Sequence, residues 1–141
     1  MDISIVVPLL DEEESLPELC AWIKREIDGL SLSYEIILID DGSQDQTFAQ
    51  IRVIHEQDAR FKGIRLKQNM GKAEVYMAGF AVARGTLVAT MDGDLQDNPA
   101  DLLKLIEALK HGTDMVIGWK KSGKSSRVTY YLSRLFNKGI R

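Results

Sequence analysis

Asp92-Gly93-Asp94 closes an apolar run, Leu87 to Met91, and Leu95-Gln96-Asp97 follows it. Two carboxylates one glycine apart can do either of two things. They can form a solvated turn, with Asp97 capping a helix that begins near Pro99. Or both can face one divalent cation, directly or through water, with Gln96 adding an amide oxygen. A matching acidic pair, Asp40-Asp41, ends a second apolar run, Glu35 to Ile39. Crowded carboxylates repel, and a cation removes that cost. Magnesium and manganese take hard oxygen ligands and leave room for water and phosphates. Asp92, Asp94 and Gln96 are therefore candidate ligands for Mg2+ or Mn2+. Asp40-Asp41-Gly42-Ser43 is also good turn chemistry. As an acceptor-only group, either aspartate suits a ribose or the N–H edge of uracil or guanine. Asn69-Met70-Gly71-Lys72 is a turn with a cap, or it brings Lys72 to a phosphate. A dinucleotide GxGxxG pattern is absent. His55 and His111 read as surface residues.

These residues need a frame that brings them together. Ile3 to Val7 is an apolar strand closed by Pro8. Acidic Asp11 to Glu14 then favours the positive end of the next helix. Ser15 and Glu18 have capping-box spacing ahead of Leu16, Leu19, Trp22, Ile23 and Ile27. Glu35 to Ile39 is a second strand, and Ser43 or Asp45 can cap the helix through Phe48, Ile51 and Ile54. Phe61 to Leu66 is a weaker strand. A third helix carries Val75, Ala78, Gly79 and Val82, and Gly85 ends it. Leu87 to Met91 is the fourth strand. Leu102, Leu105, Ile106 and Leu109 form a fourth helix, and Met115 to Ile117 a fifth strand. Tyr130, Tyr131, Leu132, Leu135 and Phe136 have amphipathic spacing, so residues 127–141 are expected to be helical. Continuous apolar strands between helices predict an α/β fold with a mostly parallel sheet flanked by helices. Ligands of such sheets bind beyond the carboxyl ends of the strands, where every acidic loop here falls.

Composition narrows the classes. The chain has 141 residues, 45% of them hydrophobic, which fits one domain over residues 1–141. A net charge of -3 gives no footprint for nucleic acid. The exception is the basic stretch Lys120, Lys121, Lys124, Arg127, Arg134, Lys138 and Arg141, which suits a phosphate-rich ligand or an anionic membrane surface. The single Cys20 excludes a disulfide framework and is expected to pack as a small hydrophobe in a reducing compartment. MDISIVVPLLDEEE is not expected to be a signal peptide, and no apolar run is long enough to span a bilayer.

Taken in register, these segments resemble family 2 glycosyltransferases of the GT-A fold, and within them the dolichyl- or polyprenyl-phosphate sugar transferases. The resemblance rests on Pro8-Leu9-Leu10-Asp11-Glu12-Glu13, on Asp40-Asp41-Gly42-Ser43 with Asp45 and Thr47, and on Asn69-Met70-Gly71-Lys72. It continues through Ala83-Arg84-Gly85, the branch marker Asp92 to Pro99, Gly112 to Trp119, and Ser133 to Asn137. It implies that Pro8, Leu10, Glu12, Lys72 and Asp40 or Asp41 line the site of a UDP- or GDP-sugar. It implies that Asp92 and Asp94 are the catalytic acids and, with Gln96, hold Mg2+ or Mn2+ on the diphosphate. The implied reaction is an inverting transfer of sugar to a polyprenyl or dolichyl phosphate at the cytoplasmic face of the membrane. Residues 127–141 would rest on the bilayer surface or pack on the sheet. Leu10 and Asp11 depart from the family's tyrosine and asparagine. The Lys-Lys-Ser-Gly-Lys-Ser-Ser loop lacks the family's acids. The family domain is expected to continue past Arg141, leaving much of the donor site here and only part of the acceptor site. Exposed sheet edge is then expected to favour self-association into homo-oligomers. Two other readings stay open: an inactive nucleotide-binding or interaction module, and a receiver-type phosphorylation domain of similar size.

Overall fold

The computed structural model describes residues 1–95, 98–109, 112–118 and 131–133. Its elements are β1 (Ile3–Leu9), α1 (Leu16–Asp28), β2 (Tyr34–Asp40), α2 (Thr47–Gln57) and β3 (Phe61–Arg65). They continue with α3 (Lys72–Val82), β4 (Leu87–Thr90), α4 (Asp101–Leu109), β5 (Met115–Ile117) and β6 (Tyr131–Ser133). The strands form one sheet in the order β3-β2-β1-β4-β6-β5. β1 pairs in parallel with β2 and β4, and β2 with β3. Side chains alternate between the two faces. Ile3, Ile5, Val7, Ile36 and Leu38 pack with α1, α2 and α4, whereas Val6, Ile37, Ile39 and Val88 pack with α3. The expected parallel sheet with helices on both faces is present.

β1 runs two residues further than the sequence suggested. The Val6 carbonyl accepts the Met91 N–H, and the Leu9 carbonyl accepts the Asp41 N–H. By alternation Pro8 faces the β4 side, where β4 has already ended, so its missing donor costs no ladder bond. Ser15 stands at the N-cap of α1, but the expected capping box is not made. Its hydroxyl donates to the Glu12 carboxylate instead. Cys20 is packed in the core, as its neighbours suggested.

Two sequence expectations are corrected. Residues 131–133 are strand, not helix. β6 pairs antiparallel with β4 through Val88–Ser133 and Ala89–Leu132, and with β5 through three further positions. β4 would otherwise carry an unpaired row of backbone donors and acceptors, and meeting that demand outweighs a local helical spacing. The rest of the 127–141 segment lies outside the described residues, as do Trp119 and the basic residues from Lys120 onward. The receiver-type reading also fails. Such sheets run 2-1-3-4-5, whereas here β3 lies outside β2 and β4 lies beside β1.

At the amino end of the sheet a charged group is buried and fully engaged. Glu35 is 0% exposed. One of its oxygens accepts the Ser4 hydroxyl at 2.6 Å and the Arg84 N–H at 2.7 Å. The other meets the Lys62 ammonium at 2.5 Å. Burial pushes the carboxyl upward, but Lys62, Ser4 and the Arg84 N–H together hold it below the ordinary glutamate range. A lowered carboxylate stabilises the fold above its unfolded pKa, and this contribution is lost as pH falls through the folded value. Glu35→Gln should cost about 2 kcal/mol at neutral pH. It should also flatten the acid limb of a plot of denaturation midpoint against pH; a parallel curve would show that Glu35 does not govern it. Burial likewise pushes the Cys20 thiol up to about 12. Iodoacetamide at pH 8 should therefore label Cys20 only under denaturing conditions, and rapid labelling of the native chain would contradict this packing.

Candidate functional site

The parallel register puts the loops after β1, β2, β3 and β4 at one edge of the sheet. β1 leads to β2 on one side and has β4 on the other, so the strand order reverses between β1 and β4. A crevice opens at such a point. Here it is a cleft of about 290 Å3. The loop after β1 supplies Pro8, Leu10 and Glu12, and the loop after β4 supplies Asp92 and Asp94. Asp41 comes from the end of β2, and Asn69, Gly71 and Lys72 from the start of α3. Seven candidate site residues, Pro8, Leu10, Glu12, Asp41, Lys72, Asp92 and Asp94, thus share one cleft. Gln96 lies outside the described residues.

Asp40 is not among the residues that line it. Its side chain shares the sheet face of Ile36 and Leu38 and is 0% exposed. Oδ1 accepts the Ser43 N–H at 2.8 Å. Oδ2 has no hydrogen bond among the described residues and faces the Arg65 guanidinium at 3.4 Å. Asp41, one residue on, points to the opposite face, where α3 begins. Its oxygens accept the Met70 N–H at 2.7 Å and the Gly71 N–H at 3.1 Å. Gly42 makes this approach possible. A Cβ there would stand 2.6 Å from the Gln68 carbonyl carbon and 2.7 Å from the Asn69 nitrogen, at a φ of 77°. The alternation of β2 was the signal that separates the two aspartates.

A second set of bonds buckles the β1–α1 loop to the β2–α2 loop. The Asp11 N–H donates to Ser43 Oγ at 2.9 Å, and Asp11 Oδ1 accepts the Gln44 N–H at 2.8 Å. The Glu12 N–H donates to Thr47 Oγ1 at 2.9 Å. The Glu13 N–H reaches Asp45 at 3.1 Å, while the Glu13 carboxylate accepts the Gln46 N–H at 2.7 Å. The burial cost on Asp45 is outweighed by the Thr47 hydroxyl and neighbouring N–H groups, which hold its carboxyl below the usual range. Sequence reasoning placed Ser43, Asp45 and Thr47 only as caps or motif letters. Asp11 has a φ of 51°, a left-handed conformation that aspartate and asparagine tolerate best. Asp11 and the asparagine that the resemblance would place here are both suited to this conformation.

The Asp92–Asp94 turn lies flat against the end of β1. A Cβ on Gly93 would sit 2.5 Å from Leu9 Cδ2 and 3.0 Å from the Pro8 carbonyl oxygen. Close approach is thus what glycine provides here; the left-handed residue is Leu95, with a φ of 61°. The Ser15 hydroxyl reaches the Gly93 carbonyl at 3.4 Å. Lys72 Nζ lies 3.1 Å from Asp92 Oδ1. Among the described residues no group of three acidic, histidine or cysteine side chains assembles around a metal position. The donor set still fits Mg2+ or Mn2+. Two hard carboxylates on one turn, one of them already beside the Lys72 ammonium, match ions that take their remaining ligands from water and a diphosphate. No described helix is long and apolar enough to cross a membrane.

Comparison with known proteins agrees with this geometry. The glycosyl transferase family 2 pattern matches residues 4–141. An undecaprenyl-phosphate 4-deoxy-4-formamido-L-arabinose transferase of Aeromonas hydrophila subsp. hydrophila is 38% identical over 139 residues, covering 98% of this chain and 43% of that protein. A dodecaprenyl-phosphate galacturonate synthase of Rhizobium johnstonii is 34% identical over 126 residues, covering 88% of this chain and 37% of that protein. The chain thus spans less than half the length of these curated relatives. The solved glucosyl-3-phosphoglycerate synthase of Mycobacterium tuberculosis, in complex with Mn2+, UDP and phosphoglyceric acid, superposes with a TM-score of 0.62 at 27% identity. That match covers 82% of this chain and 41% of the other. The α/β fold, the strand-end cleft and the match over residues 4–141 lead to one conclusion: the chain belongs to glycosyl transferase family 2 and has its GT-A architecture.

Proposed function

We propose that this chain carries the donor half of a metal-dependent glycosyltransferase that moves a sugar from a UDP- or GDP-sugar onto a polyprenyl phosphate. The single observation that carries this reading is the convergence of Asp41, Lys72, Asp92 and Asp94 on one cleft. Pro8, Leu10 and Glu12 form the wall on which base and ribose lie. Asp41 keeps lone pairs beyond its two backbone bonds and accepts the N–H edge of the base. Lys72 meets the diphosphate. Asp92 and Asp94, with Gln96, hold Mg2+ or Mn2+. The bound ion neutralises charge on the departing nucleoside diphosphate.

The acceptor class is supported by the two curated relatives, whose names differ in the sugar and share a polyprenyl phosphate. An acceptor phosphate is already ionised at neutral pH, so its oxygen attacks with little help from a base. Attack opposite the leaving diphosphate inverts the anomeric carbon. A lipid acceptor calls for a membrane surface, and a nucleotide-sugar donor for its cytoplasmic face. The acids at the cleft do not deprotonate the nucleophile; they orient the donor and stabilise the leaving group.

Calorimetry with UDP and GDP, with and without Mn2+, tests the donor site. One nucleotide should bind in a Mn2+-dependent manner, and Asp94→Ala should weaken that binding at least about tenfold, the loss expected for a charge-assisted contact. Binding of neither nucleotide with metal present would sink the proposal. Binding unaffected by Asp94→Ala would move the metal elsewhere.

A further inference from the structure

Lys72 and Asp92 approach each other across the cleft, Nζ to Oδ1, at 3.1 Å. Lys72 is the first residue of α3, and the Gly71 N–H before it is held by Asp41. The other charged side chains lining the cleft, among the described residues, are carboxylates: Glu12, Asp41, Asp92 and Asp94. One ammonium thus stands against one arm of the acidic turn that a divalent cation would use.

We propose that Lys72 is an exchangeable counter-ion that holds Asp92 when the cleft is free of nucleotide and passes to the diphosphate when a nucleotide enters, releasing Asp92 to a divalent cation. This inference rests on the donor-site reading above and adds how its parts are coupled. The pair is built to be broken. The Lys72 side chain is 70% exposed and that of Asp92 25% exposed. An ion pair so exposed is worth no more than about fivefold in an equilibrium constant. The lysine stem is flexible and its charge compact, so the ammonium can swing without moving α3. A metal ion arriving alone must displace Lys72 and then sit beside the displaced charge. A diphosphate removes both penalties, because it offers oxygens to the ammonium and the metal together. Nucleotide therefore strengthens metal binding beyond the direct metal–phosphate bonds, and metal strengthens nucleotide binding by the same factor.

The test measures Mn2+ binding to the wild-type chain and to Lys72→Met by electron paramagnetic resonance, without nucleotide and with saturating UDP or GDP. Lys72→Met should bind Mn2+ alone about two- to fivefold tighter, the range set by an exposed ion pair. With nucleotide bound, the two chains should bind Mn2+ alike, so the coupling factor falls by the same two- to fivefold. Tightening that is equal with and without nucleotide would reveal a mere through-space charge effect and overturn the exchange. Unchanged Mn2+ affinity in both states would overturn it as well. Lys72→Gln serves as a second neutral variant, and matched thermal unfolding checks that both are folded. A wild type that binds neither nucleotide fails the donor-site reading itself, and the exchange with it. A wild type that binds both ligands, with coupling unaltered in Lys72→Met, sinks the exchange alone.

Discussion

Asp41 accepts the backbone N–H groups of Met70 and Gly71, at 2.7 and 3.1 Å. The end of β2 is thereby tied to the start of α3. This joint sets where Lys72 stands, and Lys72 in turn stands against Asp92 beyond β4. Two strand ends and one helix start are linked through one carboxylate and one ammonium. Gly42 lets the backbones approach, and Asp40 braces the turn from the opposite face. Backbone N–H groups at a loop and a helix start need acceptors, and a buried carboxylate satisfies two of them at once.

The two ends of the sheet treat charge in opposite ways. At the amino end, Glu35 is closed in by Ser4, Lys62 and the backbone after α3. Its acceptor capacity is used within the fold, and the group stabilises without binding anything. At the carboxyl end, Glu12, Asp41, Asp92 and Asp94 line an open cleft with one lysine. Negative charge gathered there favours a cation. The closed charge cluster and the open acidic cleft thus lie at opposite ends of the strands.

The β1–α1 and β2–α2 loops act as one body. Reciprocal bonds between Asp11 and the Ser43–Gln44 segment, and between Glu13 and the Asp45–Gln46 segment, leave little freedom to the wall formed by Pro8, Leu10 and Glu12. A pre-ordered wall lowers the ordering cost of binding a nucleotide. The left-handed backbone at Asp11 and Leu95 flanks the same cleft from both sides. Strained backbone persists where surrounding bonds over-determine it, and here the buckle fixes the conformation at Asp11.

The alternation of strands and helices, the apolar faces, and the acidic segments after β1, β2 and β4 at the strands' carboxyl ends are all legible in the residues themselves. Those features are local: apolar period, glycine and proline stops, and the direction in which parallel strands must run. The remaining features emerge from long-range contacts. Asp40 and Asp41 are chemically alike in sequence, and strand alternation sends one under α2 and the other to α3. Ser15 has capping-box spacing, yet its hydroxyl joins Glu12. Residues 131–133 have helical spacing with their neighbours, yet they complete the pairing of β4. The Lys72–Asp92 contact joins residues twenty positions apart in the chain. Each of these outcomes depends on a partner far away in sequence, and a local pattern carries no information about where that partner's backbone groups and charges lie.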